Sequence, residues 1–316
     1  SPHEARLAFE EMKSPAFTYS PAFSAETFGE ILKYSSHITF NSFNQFQSLY
    51  DYITQHNKPV SIGIRVNPEY SAVATDIYNP CAPGSRLGIV ASQMPDKLPP
   101  EIEGLHMHAL CESDSYALEN LLRAFENKFS KWFSQIKWVN LGGGHLITDE
   151  NYNTEHLIKV INDFRERYPH LELILEPGSA FVWKAGYLVS TVMDITENHG
   201  IKTAILNVSF TAHMPDTLEM PYKPNIIGAT DPVPGKPTYR LGGNSCLAGD
   251  FKGDWSFDKE LHTGDQIVFE SMMEYTMVKT TFFNGVQHPS IGMWTQDDRF
   301  ELFRSFDYED FKKRLS

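Results

Sequence analysis

The chain has 316 residues, more than one hydrophobic core usually holds, so we expect two domains or one large α/β barrel with an addition. A hydrophobic fraction of 41%, with 13% aromatic residues, can bury a substantial core and excludes a disordered chain. Lys and Arg number 27 against 40 Asp and Glu, and the net charge of -13 disfavours nucleic acid or an anionic membrane as partner and suits a cationic ligand.

No stretch of the sequence is apolar over the length that a membrane span requires, and the first residues lack the pattern of a secretory signal. We therefore expect a cytoplasmic protein. The three cysteines, Cys81, Cys111 and Cys246, are an odd number without a CxxC spacing, which predicts free thiols rather than disulfides or a metal site.

Short apolar segments alternate with helix-like segments in the first part of the chain, which is typical of a parallel sheet covered by helices. In a (β/α)8 barrel the turns that follow the strands form the face that holds the active site. We predict helices at residues 25–34, 43–56, 116–134 and 154–167. The six predicted strands lie at residues 16–20, 37–41, 60–66, 102–108, 137–141 and 171–176.

The pattern changes near residue 186, where strand-like segments separated by Pro and Gly turns replace the helical ones. These strands are predicted at 186–195, 203–209, 266–270 and 275–282. The predicted fold is an α/β protein with a (β/α)8 TIM-type barrel, of which six of eight units are visible, followed by a mostly β domain. We place the barrel domain at residues 1–185 and the β domain at 186–316.

Three consecutive glycines, Gly142, Gly143 and Gly144, directly follow the fifth predicted strand. Without side chains, their backbone N–H groups can converge on an anion such as a phosphate. A tight turn between strand and helix explains the same residues, so the motif alone leaves both interpretations open.

His106 and His108 lie two residues apart on a predicted strand and therefore point to the same face. They could be a metal pair, or an imidazole stacked on a flat aromatic cofactor. His106 is also explained as a hydrogen-bonded residue of the barrel interior. The metal interpretation is the weaker one because Glu112, a further ligand, comes only after a loop.

Two more residues lie in surroundings that favour a catalytic or cofactor-binding role. Glu176 ends the sixth predicted strand, where a buried carboxylate would favour the protonated form of a basic partner such as a pyridine nitrogen. Cys246 lies among Gly and Ser in the segment GGNSCLAGD rather than in an apolar run, which favours an exposed acid/base or nucleophilic thiol.

The motifs together resemble the fold-III, pyridoxal-phosphate-dependent decarboxylases of the ornithine and diaminopimelate decarboxylase superfamily. Within it, the chain is most similar to the carboxynorspermidine and carboxyspermidine decarboxylases, chiefly through HMPDTLEMPY and SCLAGD. The resemblance implies decarboxylation of a carboxylated polyamine with pyridoxal 5'-phosphate, in a homodimer that shares its active sites across the interface. The motifs are GLHMHALCES, NLGGGH, LEPGSAF, FTAHMPDTLEMPYKP, GGNSCLAGD and MEYTMVKTTFFNG.

The resemblance also implies roles for individual residues, and it implies no metal ion. His108 would stack on the cofactor ring and Glu176 would pair with its nitrogen, with Arg65 supporting both. Cys246 would return a proton to the substrate α-carbon in the partner subunit's site. The residues implied to hold the phosphate are Gly143, Gly144 and Tyr275.

Acidic groups should line the pocket for a cationic substrate, and Asp250 is our first choice because it follows Cys246 by four residues. Each candidate is also explained as a solvated surface acid. Leu247 replaces the Asp of ornithine decarboxylases and argues against ornithine as substrate. The choice between carboxynorspermidine and carboxyspermidine stays open. The candidates are Asp216, Glu219, Asp250 and Glu274.

Two features depart from the family pattern. Ser179 stands where related enzymes often have Arg, and no lysine occupies the context of the one that binds the cofactor covalently on the family's first barrel strand. We therefore expect the natural protein to have further N-terminal barrel units, and this chain alone to be poorly soluble or to depend on its dimer partner. The alternatives are a catalytically inactive homologue and, less favoured by SCLAGD, an amino-acid racemase.

Overall fold

Fifteen strands and nine helices follow one another in the computed structural model, which describes residues 1–316. The strands are β1 (Ala16–Tyr19), β2 (Ser35–Phe40), β3 (Ser61–Asn67), β4 (Ile89–Val90), β5 (Ile102–His106), β6 (Trp138–Asn140), β7 (Glu172–Ile174), β8 (Tyr187–Asn198), β9 (Ile201–Leu206), β10 (Ala229–Thr230), β11 (Thr238–Gly242), β12 (Phe251–Phe257), β13 (Gln266–Glu270), β14 (Ile291–Trp294) and β15 (Phe300–Arg304). The helices are α1 (Pro2–Glu10), α2 (Phe28–Tyr34), α3 (Phe43–Gln55), α4 (Ser115–Phe129), α5 (Thr154–Arg167), α6 (Phe210–His213), α7 (Pro215–Glu219), α8 (Tyr275–Lys279) and α9 (Tyr308–Leu315).

The chain divides into two units, Ser1–Phe181 and Val182–Ser316. The domain boundary predicted from the sequence, between residues 185 and 186, stays a prediction.

The first unit contains a parallel sheet in the order β1-β2-β3-β5-β6-β7, with the two-residue strand β4 beside β3. Its six main strands are the six predicted ones, in chain order. β3 is buried along almost its whole length, which is the pattern of a parallel strand covered on both faces. β5 ends at His106, so His108 follows the strand rather than lying on it, because the chain turns away there.

The helices of this unit cover the sheet with amphipathic faces. In α4 the buried side chains recur every three or four residues, so one face packs on the sheet. The Asp114 side chain caps this helix by accepting the N–H of Ala117, and Ser42 and Asn153 cap α3 and α5 in the same way. None of the nine helices combines the length and the apolar character that crossing a lipid bilayer needs. The buried α4 positions are Ser115, Leu118, Leu121, Leu122, Phe125 and Phe129.

The second unit contains a six-stranded sheet in the order β10-β12-β11-β9-β8-β13, and a separate hairpin of β14 and β15. Only β9 and β11 pair in parallel, and the other neighbours are antiparallel. One face carries a core that includes Leu206, Phe210, Tyr239, Trp255 and Phe269. The second unit is therefore mostly β, with the helices α6 to α9 at its loops.

The strand predicted at residues 275–282 is wrong. Residues Tyr275–Lys279 form α8, and a 3-10 turn at Phe283–Gly285 follows it. Thr and Val favour strands in isolation, but the Thr276 hydroxyl donates to the Asp216 carboxylate and α8 packs on α6 and α7. These tertiary contacts outweigh the local preference.

Candidate active site

The carboxyl ends of the parallel strands gather polar side chains in the first unit. Arg65 lies on β3, His106 ends β5 and Asn140 ends β6, while His108 and Glu176 follow β5 and β7 by two residues. Because parallel strands end at one edge of a sheet, these side chains lie close together. The structure thus brings together Arg65, His108 and Glu176, which the sequence singled out, with two residues that it did not assign to the site.

Glu176 is held by its neighbours on the adjacent strand. The Asn140 amide donates to Glu176 Oε1 at 2.7 Å, and Asn140 Oδ1 accepts the N–H of Gly142 at 2.8 Å. The backbone N–H of Glu176 donates to the carbonyl of Gly142 at 2.9 Å. Burial raises the pKa of the Glu176 carboxyl, more than the Asn140 hydrogen bond and the Arg65 charge lower it. The carboxylate is therefore fixed in position and prone to share a proton.

His108 is a neutral imidazole with a defined tautomer. Its Nδ1 accepts the N–H of Gly143 at 3.2 Å, so the ring proton belongs on Nε2. Burial lowers the pKa of His108 to about 4, and the charge of Arg65 and the nearby His145 act in the same direction. At neutral pH the ring is an uncharged flat surface, which suits stacking on an aromatic group.

His106 is buried, as expected for a residue of the barrel interior, but the expected hydrogen bonds are absent. Neither ring nitrogen has a hydrogen-bond partner, and Nε2 lies 3.6 Å from Glu176 Oε2. Burial lowers the pKa of His106 well below its usual range, so this contact is one between a neutral ring and a carboxyl group. The Tyr19 ring and the imidazole meet edge to face, with centroids 5.4 Å apart.

Arg65 is only 5% exposed and its guanidinium is used within the site. It donates to the backbone carbonyl of His108 at 3.0 Å and lies 4.5 Å from the centroid of the Tyr19 ring. Arg65 therefore fixes the backbone that carries His108 and supplies a buried positive charge near Glu176.

The glycine loop admits no side chains. Gly142 and Gly144 have φ of 71° and 86°, which L side chains rarely adopt. A Cβ on Gly143 would lie 2.4 Å from the carbonyl oxygen of Glu176, and one on Gly144 would lie 2.3 Å from that of Leu110. The loop is thus a bare stretch of backbone beside His108 and Glu176, although the N–H of Gly143 is directed at His108.

His106, His108 and Glu176 each offer a ligand atom, and these atoms all lie within 4.8 Å of one another. The spacing alone would admit a metal ion. His108 Nδ1 is already an acceptor for Gly143, which reduces the donor atoms that the three residues present.

In the second unit, Cys246 lies exposed in the loop between β11 and β12. Its backbone N–H donates to Asn284 Oδ1 at 3.2 Å. Asp250 lies in the same loop but is only 4% exposed, and its carboxylate accepts the N–H groups of Thr211 and Ser245 at 3.0 and 3.1 Å. The Asp250 carboxylate is therefore already hydrogen-bonded to the backbone around it.

Asp216 is likewise buried and occupied. It accepts hydrogen bonds from the hydroxyls of Tyr222, at 2.5 Å, and Thr276, at 3.0 Å. Both donors come from segments outside α7, so Asp216 joins α7 to α8 and to the loop that follows α7.

The other predicted residues of this unit lie nearer the surface. Glu219 is exposed and forms an ion pair with Lys279. Glu274 is half-buried and accepts a hydrogen bond from the Ser271 hydroxyl at 3.4 Å, and Tyr275, which begins α8, is 55% exposed.

Sequence reasoning missed Asn140 and Asn284, which hold Glu176 and the Cys246 backbone. Asn140 could have been found as a polar residue at the end of the apolar strand segment KWVNL. Asn284 precedes a glycine in FFNG, a pairing typical of a turn, and the structure gives it a positive φ of 56°.

Comparison with known proteins gives consistent matches. The family described as "Pyridoxal-dependent decarboxylase, C-terminal sheet domain" matches residues 17–273. The chain is 51% identical to a carboxyaminopropylagmatine decarboxylase of Synechocystis sp., over 99% of this chain and 80% of that protein. It is 43% identical to a carboxynorspermidine/carboxyspermidine decarboxylase of Campylobacter jejuni, over 98% of this chain and 83% of that protein.

A solved structure supports the same relationship. The crystal structure of carboxynorspermidine decarboxylase from Campylobacter jejuni, complexed with norspermidine, superimposes with a TM-score of 0.88 at 41% identity. The match covers 99% of this chain and 84% of that one. The predicted fold class, a TIM-type barrel followed by a mostly β domain, is thereby confirmed.

Proposed function

The chain belongs to the pyridoxal-dependent decarboxylase family, and from this premise we propose that it releases CO2 from the α-amino carboxylate end of a carboxylated polyamine. The observation that carries the proposal is the cluster of Glu176, Asn140 and His108 beside the glycine loop. The relatives act on carboxyaminopropylagmatine and on carboxynorspermidine or carboxyspermidine, according to their names. All three compounds join an α-amino carboxylate to a cationic chain.

The residues of the cluster fit pyridoxal phosphate. The backbone of Gly142 to Gly144 packs so closely on neighbouring carbonyl oxygens that no Cβ fits, which brings bare backbone to the site. The N–H groups of Gly142 and Gly143 donate to Asn140 and His108, so we propose the N–H of Gly144 as the phosphate donor of this loop. Glu176 supplies a half-buried carboxylate for a pyridine nitrogen, and the neutral His108 ring supplies a flat surface for the face of the cofactor. We propose that Tyr275 of the second unit adds a hydroxyl to the phosphate site.

Bound pyridoxal phosphate supplies the electron sink for the pair released when the carbon–carboxylate bond breaks. Glu176 holds a proton at the pyridine nitrogen, because a carboxylate in low-dielectric surroundings favours the charged form of a basic partner. Asn140 keeps the Glu176 carboxylate oriented, and Arg65 fixes the backbone of His108. Because the pKa of His108 is lowered to about 4, its ring remains neutral between pH 6 and 8.

We propose that Cys246 completes the reaction. Its exposed thiol donates a proton to the substrate α-carbon after CO2 leaves, and solvent then returns a proton to the sulfur. We further propose a homodimer in which Cys246 of one subunit serves the Glu176 site of the other. Exposed apolar side chains on the β14–β15 hairpin, including Trp294, Phe300 and Phe303, support burial of surface in an assembly.

The cationic end of the substrate requires acidic contacts. Asp250 and Asp216 are buried and bonded to neighbouring groups, which leaves Glu219 and Glu274 as the candidates nearer the surface. We propose Glu274 as the principal contact because it directly precedes Tyr275. Its replacement in Glu274→Gln should raise KM about tenfold, since a hydrogen bond to a charged group contributes roughly 1.5–3 kcal/mol, and should change kcat much less.

The proposal is tested by expressing the complete open reading frame that encodes residues 1–316 and measuring CO2 release with pyridoxal phosphate. Carboxyaminopropylagmatine, carboxynorspermidine and carboxyspermidine are compared as substrates, with ornithine and diaminopimelate as controls. We expect kcat/KM for one of the first three to exceed that for ornithine at least a hundredfold, and EDTA to have no effect. Absence of CO2 release from every substrate would overturn the proposal in favour of an inactive homologue.

A further inference from the structure

The loop that carries Cys246 exposes the thiol and yet has hydrogen-bonded N–H groups along the stretch that leads to it. Five consecutive N–H groups, from Gly243 to Leu247, each donate to an acceptor, at distances between 2.7 and 3.4 Å. Loops at a protein surface commonly leave such donors to water. In chain order the acceptors are the Asp250 carbonyl, the Val208 carbonyl, Asp250 Oδ2, Asn284 Oδ1 and Ser245 Oγ.

Asp250 closes the loop on itself. Its carbonyl accepts the N–H of Gly243 and its Oδ2 accepts the N–H of Ser245, while Oδ1 reaches Thr211 at the start of α6. The carboxylate fills the space beside Gly243, where a Cβ would lie 2.3 Å from Oδ2. One buried residue therefore closes the loop onto Gly243 through its backbone, and its carboxylate links Ser245 to α6.

Asn284 holds the loop from a different segment. It occupies a left-handed backbone conformation with φ of 56°, which Asn, Asp and Gly adopt more readily than other residues. The same segment is anchored by the N–H of Thr281, which donates to the carbonyl of Ala212 in α6 at 2.7 Å. Asn284 thus brings an acceptor to the N–H of Cys246 from a position that is itself fixed.

We propose that Asp250 and Asn284 are positioning residues that aim the Cys246 thiol. The inference rests on the proposed role of Cys246 as proton donor. Two side chains from separate segments bind the successive N–H groups of Ser245 and Cys246, and so restrict the backbone from which the thiol projects. Proton transfer depends steeply on the placement of the donor, so loss of either acceptor lowers the rate of turnover without weakening substrate binding.

The test compares two substitutions of Asn284 that both tolerate its backbone conformation. Asn284→Asp keeps an Oδ acceptor, whereas Asn284→Gly removes it. We expect Asn284→Gly to lower kcat about tenfold with KM within about twofold of wild type, the effect of a misplaced catalytic group. Asn284→Asp should retain most of kcat.

Hydrogen exchange measured by mass spectrometry gives a readout that does not depend on activity. In Asn284→Gly, amide exchange should accelerate in the peptide spanning residues 243–250 and stay unchanged in peptides from β3 and β13. Asp250→Asn should accelerate amide exchange in the same peptide. The Asn side chain has one acceptor oxygen, so its NH2 group would face one of the two backbone N–H groups that the carboxylate accepts. Asp254→Asn, which alters the ion pair between Asp254 on β12 and Arg240 on β11, is the matched control.

Three outcomes separate the possibilities. If Cys246→Ser lowers kcat but Asn284→Gly and Asn284→Asp have equal kcat, the positioning role is overturned and the proposed function of Cys246 stands. If Cys246→Ser has wild-type kcat, the proposed function of Cys246 is overturned, and the positioning role with it. Unchanged exchange at residues 243–250 in both Asn284→Gly and Asp250→Asn would also overturn the inference.

Discussion

Glu176 occupies a position whose burial disfavours its charged form. It accepts a hydrogen bond from Asn140 and lies 3.6 Å from the neutral ring of His106. Burial nevertheless raises the pKa of its carboxyl. The folded chain therefore binds a proton at Glu176 more readily than the unfolded chain does, and its stability falls as the pH rises from the unfolded pKa through the raised one.

Glu176→Gln keeps the acceptor for Asn140 and removes the charge. Without pyridoxal phosphate, we expect the variant to be at least as stable as wild type at pH 7, with the difference disappearing near pH 4, where Glu176 is protonated in both states. The activity should fall at least about a hundredfold, which corresponds to roughly 2.7 kcal/mol of transition-state stabilisation. Thermal unfolding between pH 4 and 8 and CO2 release measure the two effects.

The control for this variant is Glu172→Gln, which removes a charge from an exposed position on β7. It should change neither the melting temperature nor the activity. A lower melting temperature for Glu176→Gln at pH 7, or an activity within tenfold of wild type, would contradict this account of Glu176.

At the scale of elements, the second unit shows where local preference yields to packing. The segment of residues 275–282 is rich in Thr and aromatic residues and predicts a strand, yet α8 begins it. The hydroxyl of the buried Thr276 donates to Asp216, so the helix and α7 share one buried polar contact. The role of Asp216 that follows is to hold α7 against α8.

Thr276→Val tests that role because it keeps the shape of the side chain and removes the hydroxyl. The Asp216 carboxylate would lose one of its donors in a buried position, which should lower the free energy of unfolding by about 1–3 kcal/mol. Thr276→Ser keeps the hydroxyl and should cost less than about half of that. Urea unfolding of the two variants beside wild type checks the order, and equal stability of all three would show that the contact is dispensable.

At the scale of the whole molecule, the proposed homodimer makes the two halves of the chemistry separable. Glu176 belongs to the first unit and Cys246 to the second, so each can be inactivated alone. In a dimer with shared sites, Glu176→Gln and Cys246→Ser chains that assemble together have one site with both substitutions and one with neither.

We therefore expect an equal mixture of the two variants, after subunit exchange, to regain about a quarter of the wild-type activity, because half of the dimers are mixed and each has one intact site. Each variant alone provides the control. Analytical ultracentrifugation should show a dimer throughout. A mixture as inactive as its components, with exchange demonstrated, would mean that Cys246 serves the Glu176 site of its own chain.

Hydrophobic periodicity, a local property of the sequence, determined the order of the strands along the chain. The kind of cofactor and the candidate reactive residues were implied by the resemblance of short motifs to a known family. The six predicted strands of the first unit, and the positions of His108, Gly143 and Glu176 near their carboxyl ends, depended on nothing distant along the chain. The roles of Asn140 and Asn284 required the tertiary structure, because the sequence does not show which group each side chain binds after folding.

The same reason explains Asp250 and α8. From the sequence, Asp250 is an acid near a cysteine, and only folding shows that two backbone N–H groups surround its carboxylate. Residues 275–279 have a local preference for a strand, and the contact between Thr276 and Asp216, sixty residues apart, opposes it. Local patterns thus determined which groups are available for chemistry, whereas non-local contacts decided which of them are free to act and which hold the others in place.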